Sequence, residues 1–256
     1  MERFKNRVAI VTGAAAGFGE AIARRFAVEG ASVLVADVND EGGRRVVAEI
    51  EAAGGRARYQ HTDVSSGEQV RAMVDAAVQA FGGLDILVNN AGYSHLRSML
   101  WDLPEEDYDA MFAVNTKSVY LGAKYAVPAL MARGGGSIVN TASIGGLCPR
   151  PGVTAYNASK GAVITMTKGL AAELAPMKIR VNAVNPVAAD TAFMKGALGI
   201  ADKLPEEIKQ MLVAGIPLGR LTEPSDVAAA VTFLASDDAC YLTGVCLAVD
   251  GGRSIG

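Results

Sequence analysis

Thr12-Gly13-Ala14-Ala15-Ala16-Gly17-Phe18-Gly19 is the stretch on which the fold turns. Before it stands Val8-Ala9-Ile10-Val11, a continuous apolar run closing a strand over Arg7–Thr12, as a strand buried on both faces requires. After it comes a helical stretch from about Gly17 to Glu29, stopped by Gly30. Glycines between a strand and a helix are what a dinucleotide site needs. Gly13 permits the tight turn, Gly17 lets backbone approach a pyrophosphate, and Gly19 lets the helix pack close to the strand. The helix N-terminus then offers unpaired N–H groups and partial positive charge to phosphate.

Outward from that turn the chain alternates. Strands are predicted at Ser32–Ala36, Ala57–Thr62, Asp85–Asn89, Ser137–Thr141, Ile179–Val184 and Val245–Asp250. Between them lie helices over Glu41–Ala53, from a Ser65/Glu68 capping box to about Gly82, from Pro104, over about Asn115–Met131, over Thr154–Ala175, and from Pro224 to Leu234. Strands alternating with helices imply βαβ units with right-handed crossovers. The expectation is one α/β domain over residues 1–256: a doubly wound, parallel, seven-stranded sheet of Rossmann type with helices on both faces. Residues 188–215 are too long for a plain βα connection and are predicted to be a substrate-binding loop or lid, with a helical excursion covering core as the other reading.

Composition bounds the function. Half of the 256 residues are hydrophobic, 20% are charged and the net charge is −3, which suits a globular chain that buries roughly 70–75% of its extended surface. No basic concentration points to nucleic acid. Cys148, Cys240 and Cys246 form no C-x-x-C pair and only His61 and His95 accompany them, so neither a disulfide framework nor a metal site is expected; the cysteines are read as small apolar filler. The charged N-terminus has no signal-like apolar segment and no run is long enough to span a bilayer. A soluble cytoplasmic protein is expected.

Chemistry gathers at the predicted strand ends. Asp37 closes the second strand, 24 residues after Gly13, where a carboxylate can accept both adenosine ribose hydroxyls and repel a 2′-phosphate. No Arg or Lys stands at Ala14–Ala16 or Val38, so NAD is expected rather than NADP. Asp63-Val64 and Asn89-Asn90-Ala91-Gly92 end the next two strands and can line an adenosine slot. Tyr156 and Lys160, four apart on a helix, share a face. A free phenol titrates near ~10 and must drop by about 3 units, worth ~4 kcal/mol, to exchange a proton near neutrality. An ammonium ~4 Å away supplies about that much at an effective dielectric of ~20. Ser143, just past the fifth strand, can hold a substrate oxygen. Asn115 can anchor a proton-relay water.

Taken together, Thr12–Gly19, Asn89–Gly92, Asn115, Ser143 and Tyr156-x-x-x-Lys160 resemble the short-chain dehydrogenase/reductase family over nearly the whole chain. The resemblance implies an Asn–Ser–Tyr–Lys tetrad. In it Tyr156 is the acid/base, Lys160 binds nicotinamide ribose and lowers the tyrosine pKa, Ser143 positions substrate and Asn115 keeps the relay water. It also implies cofactor contacts by Phe18, Asp63, Val64 and Asn90, and a carboxamide held near Val187, Ala189 and Thr191. The reaction implied is hydride transfer between NAD(H) and a small, partly apolar secondary alcohol or ketone. A homotetramer is implied, with the Asn115–Met131 and Thr154–Ala175 helices forming one interface.

One departure stands out. Asn185-Pro186 is followed by Val187, where the family usually has glycine, so a side chain narrows the space beside nicotinamide. Ser94, His95, Leu147, Cys148 and Val187 are candidate pocket residues. His95 is read as a substrate contact or, preferentially, a solvated loop residue. Arg97 and Arg150 could hold a carboxylate or simply stand in solvent. A non-catalytic nucleotide sensor and a different glycine-loop enzyme, such as a methyltransferase, remain as alternative readings.

Overall fold

The computed structural model describes residues 2–200 and 204–255. Seven strands, β1 (Val8–Thr12), β2 (Ser32–Asp37), β3 (Arg56–His61), β4 (Ile86–Asn89), β5 (Gly136–Thr141), β6 (Ile179–Pro186) and β7 (Cys246–Val249), form one parallel sheet in the order β3-β2-β1-β4-β5-β6-β7. This is the doubly wound sheet expected.

Period-2 geometry explains why the central strands read as unbroken apolar runs. Ala9, Val11, Val33 and Val35 face one layer, where α1 (Gly17–Val28) and α9 (Pro224–Ala235) pack on each other and on the sheet. Val8, Ile10, Leu34 and Ala36 face the other, against α3 (Gly67–Phe81) and α5 (Ser118–Ala132). With α2 (Asp40–Ala52) and α6 (Thr154–Leu174), both faces are covered. Fully burying a side chain such as Ile10 contributes about 1.5–3 kcal/mol. The chain reverses direction across the sheet between β1 and β4, so their carboxyl ends open a crevice there.

Two local expectations need correction. The N-cap of α3 is Ser66, whose hydroxyl accepts from the Gln69 N–H, while Ser65 instead donates to Asp63; the cap is displaced by one residue and the Gln69 side chain accepts from the Asp63 N–H, so no reciprocal box forms. No new helix begins at Asn115. α4 (Glu105–Phe112) runs through a π-helical turn, Ala113–Lys117, directly into α5. Spacing alone does not reveal such a turn: the extra residue shifts the apolar face by one position, which reads the same as the start of a second helix. The expected lid at 188–215 contains two helices, α7 (Ala192–Leu198) and α8 (Glu206–Val213); its residues 201–203 lie outside the described residues. Its apolar side chains, among them Met194, Leu198, Ile208 and Leu212, pack on Ile144, Val187 and Ala188 as a satellite cluster separate from the two core layers.

Among the described residues no helix is long and apolar enough to cross a membrane. Cys148 and Cys240 are exposed and only Cys246 is half-buried, so the filler role expected of all three suits one.

Candidate active site

A single cavity of about 720 Å³ opens at the carboxyl edge of the sheet and runs from Asp37 to Arg150. Its first part is the glycine turn. Gly13 has a positive φ of 63°, and a Cβ on Gly19 would lie 2.0 Å from the Gly13 carbonyl oxygen, so only glycine allows α1 to start this close to β1. Ala16 caps α1 without a side-chain hydrogen bond, which leaves first-turn amides unfilled and directed at the cavity, with Gly17 and Phe18 on its wall. Thr12, not singled out from sequence, ties the turn to β4: its hydroxyl donates to the Val88 carbonyl and accepts from the Asn90 and Ala91 N–H groups.

Asp37 also has a second task. Its two carboxylate oxygens accept from the Ala15 and Asn39 N–H groups, both at 2.9 Å, so it braces the glycine turn while lining the cavity. Val38, Asp63 and Val64 line the same end, with the Asp63 carboxylate accepting from Ser65. Ala91 and Gly92 line the floor, as does Asn90, although the Asn90 amide is engaged with Thr12, Gly13 and Thr141. Asn89 instead turns into the core onto Asn140, filling the space left by Gly122.

The second part of the cavity holds Ser143, Tyr156 and Lys160. Ser143 follows β5 and its hydroxyl accepts from the Gly145 N–H at 3.0 Å. Lys160 is buried; its ammonium donates to the Thr141 carbonyl at 2.8 Å and lies 5.9 Å from the centre of the Tyr156 ring. Burial pushes the Lys160 pKa down to about 8. The Tyr156 phenol is pushed up by burial and pulled partly back by the Ser143 hydroxyl and the Arg150 guanidinium. Here the sequence reading is corrected. The cation that draws the phenol's pKa down is Arg150, six residues before Tyr156 on the preceding loop, whereas Lys160 is itself desolvated and donates to a carbonyl.

Asn115 lies in the π turn, buried, just behind the cavity wall. Its Oδ1 accepts from the Tyr93 N–H at 2.8 Å, and its amide donates to the Tyr93 carbonyl and the Ser159 hydroxyl, both at 2.9 Å. Ser159 and Tyr93 thus join Asn115 to α6 and to the loop after β4, a link that residue spacing does not signal. The Gly92 Cα faces this junction: a Cβ there would be 3.5 Å from Asn115 Oδ1 and 3.6 Å from Lys160 Nζ.

The far wall comes from the 188–215 segment. Val187 and Ala189 are buried cavity residues, and the Thr191 hydroxyl caps α7 by accepting from the Met194 N–H. Phe193 packs on Tyr156 at 6.0 Å between ring centres, a contact that pattern reading missed. Of the other pocket candidates, Ser94 lines the cavity, while Leu147 and Cys148 are exposed outside it. His95 is neither solvated nor on the cavity; it is 3% exposed and its Nε2 has no hydrogen-bond partner.

Comparison with known proteins agrees with this architecture. The family model described as enoyl-(acyl carrier protein) reductase matches residues 13–254. The chain is 51% identical, over 97% of its length and 98% of the relative's, to 4-formylbenzenesulfonate dehydrogenase of Comamonas testosteroni. A crystal structure of 3-ketoacyl-(acyl-carrier-protein) reductase from Brucella melitensis complexed with NADH superposes with a TM-score of 0.91 at 42% identity, covering 98% of this chain and all of that one. A short-chain type dehydrogenase/reductase from Mycobacterium marinum gives 0.91 at 34% identity, covering 99% and 97%. The chain therefore belongs to the short-chain dehydrogenase/reductase family of oxidoreductases.

Proposed function

We propose that this oxidoreductase moves a hydride between NAD(H) and the secondary alcohol or ketone carbon of a small, partly apolar substrate, with Tyr156 as general acid/base. The observation that carries the reading is the meeting, in one cavity, of an uncapped helix N-terminus behind a glycine turn with Tyr156, Lys160 and Ser143. The residues present fit a dinucleotide. The amides beginning α1 suit its pyrophosphate, Asp37 an adenosine ribose, and Val38, Asp63 and Val64 an adenine. Backbone at Asn90–Gly92 would meet ribose, since the Asn90 side chain is engaged elsewhere. Val187, Ala189 and Thr191 would hold the carboxamide, with Val187 narrowing the space beside it. When bound, the cofactor supplies the hydride acceptor or donor.

The remaining chemistry is the chain's own. In oxidation Tyr156 takes the hydroxyl proton of the substrate; in reduction it returns it. Ser143 holds the substrate oxygen as charge develops on it. The Lys160 ammonium binds the ribose, and with its pKa near 8 it can exchange a proton in the working range. Asn115 retains one free lone pair on Oδ1 for a relay water, its two N–H donors being used by protein groups.

Loss of nicotinamide absorbance change in Tyr156→Phe, across a panel of secondary alcohols and ketones assayed with both cofactors, tests the reading. Turnover should fall by about 10²–10⁴-fold with NADH affinity kept. Unchanged turnover would overturn it. We further propose a cytoplasmic homotetramer; Tyr120 and Met131 on α5 are exposed apolar side chains that such contacts would cover. A monomer mass in light scattering would refute it.

A further inference from the structure

Arg97 and Arg150 line the end of the cavity opposite Asp37. The loops that carry them are built together. The Ser98 N–H donates to the Gly152 carbonyl at 3.1 Å, and Arg97 lies so close along Gly152 that a Cβ there would be 2.6 Å from its Nε. The Asn157 amide donates to the Arg150 carbonyl at 2.9 Å, which anchors Arg150 to the residue following Tyr156. Arg253, packed on Gly215, brings a third guanidinium: burial first, and then its charge and that of Arg97, oppose the ionisation of Arg150, while Tyr156 favours it.

Among the described residues, none of these three arginines has an ion-pair partner, although most other arginines of the chain do. The acids on the cavity wall, Asp37 and Asp63, stand at the other end. Gathered like charges with no counter-charge repel one another unless an anion joins them, and the planar forks of two arginines match the paired oxygens of a carboxylate or sulfonate. The same cavity has an apolar wall that includes Val153, Phe193 and Met194, with Phe193 packed on Tyr156.

We propose that the substrate is an organic anion whose carboxylate or sulfonate is held by Arg150 and Arg97, with its apolar body against Phe193 and its reacting carbon at Tyr156. This rests on the dehydrogenase reading above and adds the charge class of the substrate. Arg253 reinforces the positive potential from outside the cavity wall.

Binding, measured apart from turnover, tests it. 4-Acetylbenzoate, 4-acetylbenzenesulfonate and the neutral, similarly shaped 4-acetylbenzamide are titrated calorimetrically into the protein, with and without NAD⁺. Both anions should bind about 10-fold or more tightly than the amide, the worth of one charge-assisted pair. Arg150→Gln and Arg97→Gln should each lower anion affinity by about 10-fold while changing amide affinity far less, with Arg150→Lys restoring part of it. In the unaltered protein, anion binding alone should weaken between 0.05 and 0.5 M salt (about a threefold shorter Debye length). Anions and amide binding equally, no binding of any of the three, or salt-independent binding would overturn the proposal. Oxidation of 4-(1-hydroxyethyl)benzoate, 4-(1-hydroxyethyl)benzenesulfonate and 4-(1-hydroxyethyl)benzamide by NAD⁺ is scored separately. If no alcohol is oxidised yet the anion preference holds, the dehydrogenase reading fails and the anion site stands.

Discussion

The two ends of the cleft are made by different means. At the Asp37 end the walls are backbone: a turn that only glycine permits, amides at the start of α1, and a carboxylate that braces the turn it borders. At the Arg150 end the walls are side chains from segments far apart in sequence, including α7 and α8, whose apolar residues form their own small cluster rather than joining the main core. The first end has its geometry fixed by short-range sterics and tolerates little change. The second is set by packing of a satellite element, so it can be altered without unfolding the sheet. Tyr156 lies where the two meet, on the stiff α6 but touched by Phe193 from the satellite.

The sharpest break of that contrast is Gly19→Val. A side chain 2.0 Å from the Gly13 carbonyl oxygen forces α1 from β1, and a loss of about 4 kcal/mol or more is expected, read as a large fall in Tm. Phe193→Ala, at the other end, should leave Tm within a few degrees and raise KM. Equal Tm losses in the two variants would erase the distinction between a rigid end and an adjustable one.

Lys160→Met separates stability from activity at the junction. Turnover should fall by about 10²-fold or more. Stability should nevertheless rise, by up to ~3 kcal/mol near neutrality, because a buried ammonium whose pKa is pushed down to about 8 destabilises the folded state wherever it is protonated. The sign follows from proton binding. Above about pH 8 the folded protein has released this proton while the unfolded chain, with its pKa near ~10.4, still holds it, so the wild type gains stability as pH rises. The variant's advantage is therefore full below about pH 8 and fades toward pH 10. Chemical denaturation at pH 7 and pH 10 checks this; a variant less stable at both would contradict it.

Asp37→Ala should reduce NAD preference over NADP by about 10-fold, by removing repulsion of a 2′-phosphate. It should also lower stability by about 1–2 kcal/mol, since the Ala15 and Asn39 amides lose their acceptor. Equal wild-type affinity for both cofactors would reject the role given to Asp37. The smallest effect expected is kinetic: Arg150→Gln should move the pH dependence of alcohol oxidation upward, because burial raises the phenol and the Arg150 charge holds it below where burial alone would put it. An unmoved profile would assign Arg150 to substrate alone.

How far the site could be read in advance follows the same division. The Gly13–Gly19 turn, the strand-end Asp37 and the Tyr156/Lys160 spacing were legible because each is a local pattern with a local physical cause: positive φ, helix N-terminal amides, a shared helical face. The π turn at Asn115 was not, because the one-residue shift it puts into the apolar pattern reads the same as a junction between two helices. Nor was the engagement of the Asn90 amide and the Lys160 ammonium by Thr12, Gly13 and Thr141, since hydrogen-bond partners 19 to 78 residues away leave no trace in either neighbourhood. His95 was misplaced for a related reason: a polar residue in an irregular stretch reads as solvated unless the packing over it is known.

By itself, the amino-acid order determined a doubly wound parallel sheet, the glycine turn from which α1 starts and the placing of Tyr156 and Lys160 one helical turn apart, because periodicity and glycine sterics act over a few residues. Only the tertiary structure decided which cation faces the phenol and that Arg97, Arg150 and Arg253 converge. Electrostatic energies depend on distance and burial in space, and chain separations of 53 and 103 residues say nothing about either.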